Sequence, residues 1–139
     1  ELFEHLLIAE FRLLCSYLKP DWDIFYYQTA SGNEIDLIIE TGSDDLFAIE
    51  IKSAVDLSRV NLTAEIALLE EMHATKRIVL SQDPVKKQIS KNVQALHWRE
   101  GLNEIFGSES DLSATPAPRR TLIAKATPSK PAIREKPKS

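Results

Sequence analysis

The sequence predicts an α/β fold in which helices flank a mixed central sheet. An amphipathic segment with helical spacing opens the chain, and two neighbouring apolar segments, residues 34–40 and 46–53, alternate as strands do. A second amphipathic segment and the apolar residues 78–80 follow. Because a strand, a crossover helix and a returning strand join parallel neighbours, the fourth strand is expected to run parallel to the third.

The first elements follow from local patterns. Leu, Phe and Ile recur at helical spacing over residues 2–18, and Pro20 ends this predicted helix. Residues 22–29 are aromatic enough to predict the first strand, and Ser31-Gly32-Asn33 is a turn signal before the second. The expected order is α-β-β-β-α-β.

The second half is less regular. Asp56 or Ser58 is expected to cap a second helix that runs to about His73, with an apolar inner face of Leu62, Ile66 and Leu69. Three further elements are predicted: a strand over residues 78–80, a strand over residues 93–98, and a short helix over residues 100–106 that Gly107 ends.

Composition divides the chain into a domain, residues 1–107, and a tail, residues 108–139. The tail holds five of the seven prolines and is basic, with seven Lys/Arg against three acids. It cannot bury enough apolar surface to offset chain entropy, so it is predicted to be disordered. The net charge of −4 leaves the domain with −8. Duplex DNA is therefore not an obvious ligand of the domain alone.

Cysteine content and hydropathy indicate the kind of cellular compartment in which the protein works. Cys15 is alone, which excludes an internal disulfide and a cysteine-rich zinc site. No run of about 18 apolar residues indicates a membrane span. These features favour a reducing compartment, and we expect a cytoplasmic location.

Acidic side chains on the two alternating segments predict a metal site. Ile35, Leu37 and Ile39 are expected to share one face of the second strand, with Glu34 and Asp36 on the other. If the two strands pair, Asp36, Glu50 and Lys52 converge. Mg²⁺ is often held by one or two carboxylates together with waters and phosphate oxygens, so this group suits a cation and a phosphate.

The same residues resemble a known motif. Asp36 followed by Glu50-Ile51-Lys52 resembles the signature of the PD-(D/E)XK, or restriction-endonuclease-like, superfamily. The wider set of strings is similar to one branch, the nuclease-like domain of unknown function at the C-terminus of prokaryotic AAA-type ATPases; the strings are Leu2-Phe3-Glu4, Tyr26-Tyr27-Gln28-Thr29, Gly32-Asn33-Glu34-Ile35-Asp36 and Ile49-Glu50-Ile51-Lys52-Ser53. The resemblance covers residues 1–106 and implies a restriction-endonuclease-like core.

What the resemblance implies is a Mg²⁺-dependent nuclease, with Mn²⁺ as a possible substitute. Asp36 and Glu50 would hold the metal with the Ile51 carbonyl as a third oxygen ligand, and Lys52 would position the attacking water. An acid on the first helix often completes such sites: the family string favours Glu4, whereas an expected place among apolar neighbours favours Glu10. Two candidates remain. Gln28 would contact the phosphate or a water, and Glu34 would accept a hydrogen bond beside Asp36.

Two other hypotheses stay open from the sequence. The domain could be a non-catalytic accessory module of an AAA-type ATPase supplied in cis or in trans, because the 139 residues contain no Gly-x-x-x-x-Gly-Lys-Ser/Thr phosphate loop. The acidic body favours that hypothesis. The domain could also be a remnant that folds without acting on anything.

Overall fold

A computed structural model describes residues 1–107 in full and the backbone of residues 133–135. These described residues form three α-helices and one mixed sheet of seven strands. The helices are α1 (Leu2–Leu18), α2 (Thr63–Glu71) and α3 (Trp98–Phe106). The strands are β1 (Asp23–Gln28), β2 (Glu34–Glu40), β3 (Leu46–Ile51), β4 (Lys76–Ser81), β5 (Lys87–Gln88), β6 (Gln94–His97) and β7 (Ile133–Glu135).

The sheet has the order β5-β6-β4-β3-β2-β1-β7. Strands β1, β2 and β3 form an antiparallel meander, while β3, β4 and β6 run parallel. The predicted parallel arrangement of the third and fourth strands is therefore confirmed. The edge strands β5, antiparallel to β6, and β7, parallel to β1, were not predicted.

Helices cover both faces of the sheet and divide the core in two. On one face α1 and α3 bury Leu7, Phe11 and Phe106 against the strands. On the other face α2 buries Leu68 and Leu69. Strands covered on both faces are apolar on both faces, which is why the central stretches of β2, β3 and β4, residues 37–39, 46–49 and 78–80, are continuous apolar runs. Cys15 lies in the α1 core, and burial raises the pKa of its thiol to about 12.

The prediction that Ile35, Leu37 and Ile39 share one face is wrong. Leu37 and Ile39 pack in the core beneath α1, but Ile35 packs in the core beneath α2. The cause is a β-bulge: Phe25 pairs with Ile38 and Tyr27 with Ile35, so β2 has one more residue than β1 between these pairs. A bulge shifts the alternation of side chains by one residue.

The predicted second helix is interrupted. Asp56 does act as a cap, but of a single 3-10 turn, Leu57–Arg59, where its carboxylate accepts the Ser58 N–H. The α-helix begins only at Thr63 and ends at Glu71. The inner face is largely as expected, since Leu62 and Leu69 are buried and Ile66 packs at the margin of the same core.

The remaining elements lie close to their expected positions. Helix α1 has the predicted bounds, and α3 begins at Trp98 because the His97 ring nitrogen accepts the Arg99 N–H as a cap. The tail prediction concerns residues 108–139, which lie outside the described residues except for the strand at 133–135. Within the described part of the chain, no helix has the length and apolar character needed to cross a membrane.

Candidate functional site

A cavity of about 300 Å³ opens where the start of β2 meets the end of β3. The first turns of α1 and α2 contribute to its wall. Its lining includes five carboxylates and one ammonium group, those of Glu4, Glu34, Asp36, Glu50, Glu65 and Lys52. The cavity is therefore strongly acidic, and the three residues of the predicted metal site all line it.

Asp36 reaches the cavity because the ladder between β2 and β3 ends beside it. The last pair is Leu37 with Ile49, so the next position places Asp36 opposite Glu50. The Ile51 N–H donates to Asp36 Oδ2 at 2.8 Å. The carboxylate thus replaces a backbone partner, and because Leu37 packs beneath α1, the alternation of side chains places Asp36 on the α2 side of the sheet.

Glu50 is the most buried acid of the cavity, with 5% of its surface exposed. It alternates with Ile49 and Ile51, which pack beneath α1, so its side chain lies on the opposite side of the sheet, the side covered by α2. Its Oε1 lies 3.4 Å from Lys52 Nζ. Its Oε2 is buried without a hydrogen-bond partner in the described part of the chain. A buried carboxylate oxygen without a donor is costly, and a cation would satisfy it.

Lys52 is held mainly by an acid that the sequence reasoning missed. Glu65 Oε2 accepts a hydrogen bond from Lys52 Nζ at 2.8 Å, a shorter contact than the one to Glu50. Glu65 lies in the first turn of α2 and is partly buried. The signal was available, because the 3.6-residue period that put Leu62 and Leu69 on the inner face also turns position 65 toward the sheet.

The two facing carboxyls have raised pKa values. Burial, and then the negative charge of Asp36, raise the pKa of Glu50 to about 8, although Lys52 opposes the shift. Burial also raises the pKa of Asp36, with the Ile51 N–H opposing it and the charge of Glu4 adding to it. Asp36 lies opposite Glu50, and two facing carboxyls disfavour a second negative charge, so one of them keeps its proton to a higher pH. At neutral pH without metal, the pair therefore holds a proton.

Lys52 and Glu65 stay ionised. Burial by itself lowers the pKa of Lys52, but the hydrogen bond that Lys52 donates to Glu65 and the charge of Glu50 outweigh it, so the net shift is upward. Burial likewise raises the pKa of Glu65, and the hydrogen bond with Lys52 more than reverses that effect. The cavity therefore contains a fixed ion pair next to a protonated acid pair.

The two candidate acids of the first helix, Glu4 and Glu10, differ in burial and in position relative to the cavity. Glu4 is half-buried and lines the cavity. Glu10 is exposed and does not line it, so the premise that Glu10 lies among apolar neighbours is wrong. The α1 core is formed by Leu7, Phe11 and Cys15, and position 10 points away from that line.

Gln28 and Glu34 lie at the cavity entrance as a pair. Gln28 Nε2 donates to Glu34 Oε1 at 3.1 Å across the β1–β2 hairpin. Glu34 is exposed and lines the cavity, whereas Gln28 lies behind it. Gln28 therefore orients Glu34 and does not itself face the cavity.

The residues present fit a sparsely ligated metal. In the described part of the chain, no three His, Cys, Asp or Glu side chains are grouped so as to hold a metal ion. Two carboxylates with water and phosphate oxygens form the kind of site that Mg²⁺ accepts. The unpartnered Glu50 oxygen beside Asp36 is the observation that agrees with such a site.

Comparison with protein families gives one match. Residues 1–101 match the model of a domain of unknown function, DUF4143. The chain belongs to this family. Comparisons with curated proteins and with solved structures returned no match. The family match covers α1, the sheet as far as β6 and the whole cavity, so the cavity is part of the family's own domain.

Proposed function

We propose that this DUF4143 domain is a Mg²⁺-dependent nuclease of the PD-(D/E)XK type that hydrolyses phosphodiester bonds in nucleic acid. The observation that carries the proposal is the cavity in which Asp36, Glu50 and Lys52 meet, with a buried Glu50 oxygen that has no partner among the described residues. The lone buried cysteine is compatible with a cytoplasmic location.

Each residue has a role that follows from its contacts. Asp36 and Glu50 would hold the divalent cation, with the Ile51 carbonyl as the candidate third protein ligand. When bound, such a cation withdraws charge from a phosphoryl oxygen and lowers the pKa of a water. Lys52, kept cationic by Glu65, would orient a water toward the phosphorus and stabilise the charge that develops there. Hydrolysis leaves one end with a hydroxyl group and the other with a phosphate.

Glu4 would act as the further acid of the site. It lines the cavity from the first turn of α1, and its charge acts on Asp36. An acid in this place suits the binding or orientation of a second water or metal. Manganese is an alternative cation because it also accepts oxygen ligands.

A second candidate function is a non-catalytic accessory module of an AAA-type ATPase. One observation favours it: Lys52 is already paired with two carboxylates, so the cavity offers a phosphate no unpaired cation from its own wall. Residues 1–107 also carry eighteen acids against ten Lys/Arg. A module of this kind would bind its ATPase equally well with an inactivated cavity.

A cleavage assay separates the two functions. The full chain is incubated with labelled single-stranded and duplex DNA and RNA, with Mg²⁺, with Mn²⁺ or with a chelator. The informative variants are Asp36→Asn, which can still accept the Ile51 N–H, and Lys52→Met; Glu100→Gln, at an exposed position of α3, is the control. We expect metal-dependent cleavage that both variants abolish and the control retains.

Cleavage that persists in Asp36→Asn and Lys52→Met would come from a contaminant and would contradict the proposal. Absence of cleavage on all four substrates with both metals would favour the accessory module.

A further inference from the structure

Helix α1 has a second apolar stripe on the side that faces away from the core. Leu2, Leu6, Leu13 and Tyr17 have 72%, 61%, 53% and 45% of their surfaces exposed. With the exposed Ala9, the residues from Leu2 to Leu13 follow the alternating spacing of four and three residues that is typical of the contact seam of paired helices, and Tyr17 lies one further turn along the same side. The stripe extends along the whole helix.

This exposure is concentrated rather than scattered. Among the described residues, six large hydrophobic side chains are exposed, and four of them belong to this stripe. Single exposed apolar residues are ordinary, but a continuous exposed line of them marks an interaction surface. The opposite face of α1 already packs in the core, since Leu7, Phe11 and Cys15 are buried against the sheet. The helix is therefore apolar on two sides, and the described elements cover only one.

The borders of the stripe indicate what it binds. At about 100° per residue, Glu10 lies along one border, while His5 and Arg12 lie along the other. All three side chains are exposed. Glu10 gives one border a negative charge, and Arg12 gives the other a positive charge about two helical turns beyond His5 and about three beyond the exposed Glu1, so the two borders carry opposite charges along the middle of α1, as pairing with a second copy requires.

The same borders distinguish between two orientations. In an antiparallel pair the stripe would be centred near Ala9, because Leu6 would meet Leu13 and Leu2 would meet Tyr17. Glu10 would then face Glu10 of the second copy, which is unfavourable. In a parallel pair each stripe residue meets its own equivalent, and the acidic border of one helix faces the basic border of the other.

We propose that the outer stripe of α1 is an interface between two copies of this chain, with the two α1 helices parallel. The interface is isologous, and its two-fold axis runs along the helices. One consequence concerns the cavity. Because Glu4 lines it from the first turn of α1, the cavities of both copies lie toward the same end of the dimer.

Sedimentation of the full chain over a wide concentration range tests the interface. A single helix pair is a small contact, so we expect a dimer that dissociates in the micromolar range. Leu6→Glu and Leu13→Glu should each give a monomer with an unchanged circular dichroism spectrum. Val85→Glu, which changes an equally exposed apolar residue outside α1, should leave the dimer intact.

A wild-type chain that is monomeric at every concentration would overturn the proposal. So would a dimer that Leu6→Glu and Leu13→Glu do not weaken, because its interface would then lie elsewhere. These outcomes are independent of any cleavage activity.

Cysteine cross-linking tests the orientation. Cys15 is buried, so an introduced thiol on α1 can be the reactive one. In a parallel pair Leu13→Cys should form a disulfide with its equivalent in the second copy. An antiparallel pair would instead cross-link only in a mixture of Leu6→Cys and Leu13→Cys chains, and that result would overturn the parallel arrangement.

Exchange of the charged borders gives an independent check. Glu10→Lys should weaken the dimer at least tenfold, and adding His5→Glu and Arg12→Glu should restore it. A dimer that is insensitive to both changes would contradict the role of the borders.

Discussion

At the scale of single residues, two buried acids, Glu50 and Asp83, have pKa values shifted in opposite directions. Burial and a second carboxylate raise the pKa of Glu50 to about 8. Asp83, which is 3% exposed, accepts the N–H groups of Leu57 and Val85 and contacts Lys87 Nζ, and these contacts lower its pKa to about 2. The hydrogen bonds decide the difference, since Asp83 has donors and Glu50 Oε2 has none among the described residues.

Glu50 makes the metal-free domain less stable as the pH rises. The folded pKa is above the unfolded value of about 4.3, so the unfolded state binds fewer protons between about pH 4.3 and 8, and stability falls across that window. Glu50→Gln should remove this loss and raise the free energy of unfolding at pH 8 by on the order of a few kcal/mol, because a pKa difference of one corresponds to about 1.4 kcal/mol. Urea unfolding at pH 5 and pH 8 in chelator measures it; an equal loss in wild type and variant would contradict the account.

Asp83 should have the opposite effect at acidic pH. Its folded pKa of about 2 is below the unfolded value of about 3.9, so the stability it contributes is present above about pH 4 and is lost as the pH falls through 2. Asp83→Asn should lower the urea midpoint at pH 7 and flatten the wild-type decline below pH 4. A variant whose midpoint falls with acid as steeply as that of the wild type would refute this.

At the scale of elements, the approach of α3 to β4 depends on a glycine. A methyl group at Gly101 would lie 2.2 Å from Leu80 Cδ2, and Leu80 is fully buried. Alanine favours a helix by about 1 kcal/mol over glycine. Overpacking a closed core costs about 1–3 kcal/mol, so this cost should exceed the gain in helix propensity.

We therefore expect Gly101→Ala to destabilise the domain, whereas Asn103→Ala, at an exposed position of the same helix, should be neutral or stabilising. Thermal unfolding of the two variants makes the comparison. A higher melting temperature for Gly101→Ala would mean that Leu80 moves aside freely.

The elements also show what a sequence can and cannot reveal. The α1 bounds were predictable because apolar periodicity, a long uninterrupted run and Pro20 agree. The bulge in β2 was not predictable, since it arises from how β1 pairs with β2 and leaves no local pattern. The break before α2 was hidden for a related reason: Asp56 is a good cap for either a 3-10 turn or an α-helix.

The candidate site was partly predictable for the same physical reasons. Alternation on β3 fixed Glu50 and Lys52 on one face, and the pairing of neighbouring strands brought Asp36 to them. Glu65 was missed because it comes from another element, although the helical period of α2 turns it toward the sheet, where it accepts a hydrogen bond from Lys52. Glu10 was misjudged because α1 is apolar on two sides, so apolar neighbours in sequence did not mean burial.

At the scale of the whole molecule, the fold brings distant segments to one place. The end of β3, the start of β2 and the first turns of α1 and α2 meet in a cavity with five acids and one lysine. Connection rules were enough to predict the parallel β3–β4 pair. The edge strands were beyond such rules, because β5 has two residues and β7 follows a segment without apolar periodicity.

The central claim is that Asp36 and Glu50 form a divalent cation site, and calorimetric titration of the full chain tests it most directly. With Mg²⁺ and with Mn²⁺ we predict one site per chain, with proton release because the carboxyl pair holds a proton in the free protein. Asp36→Asn should abolish binding while the fold, monitored by circular dichroism, is kept. No binding at millimolar metal, or equal binding by Asp36→Asn, would contradict the claim.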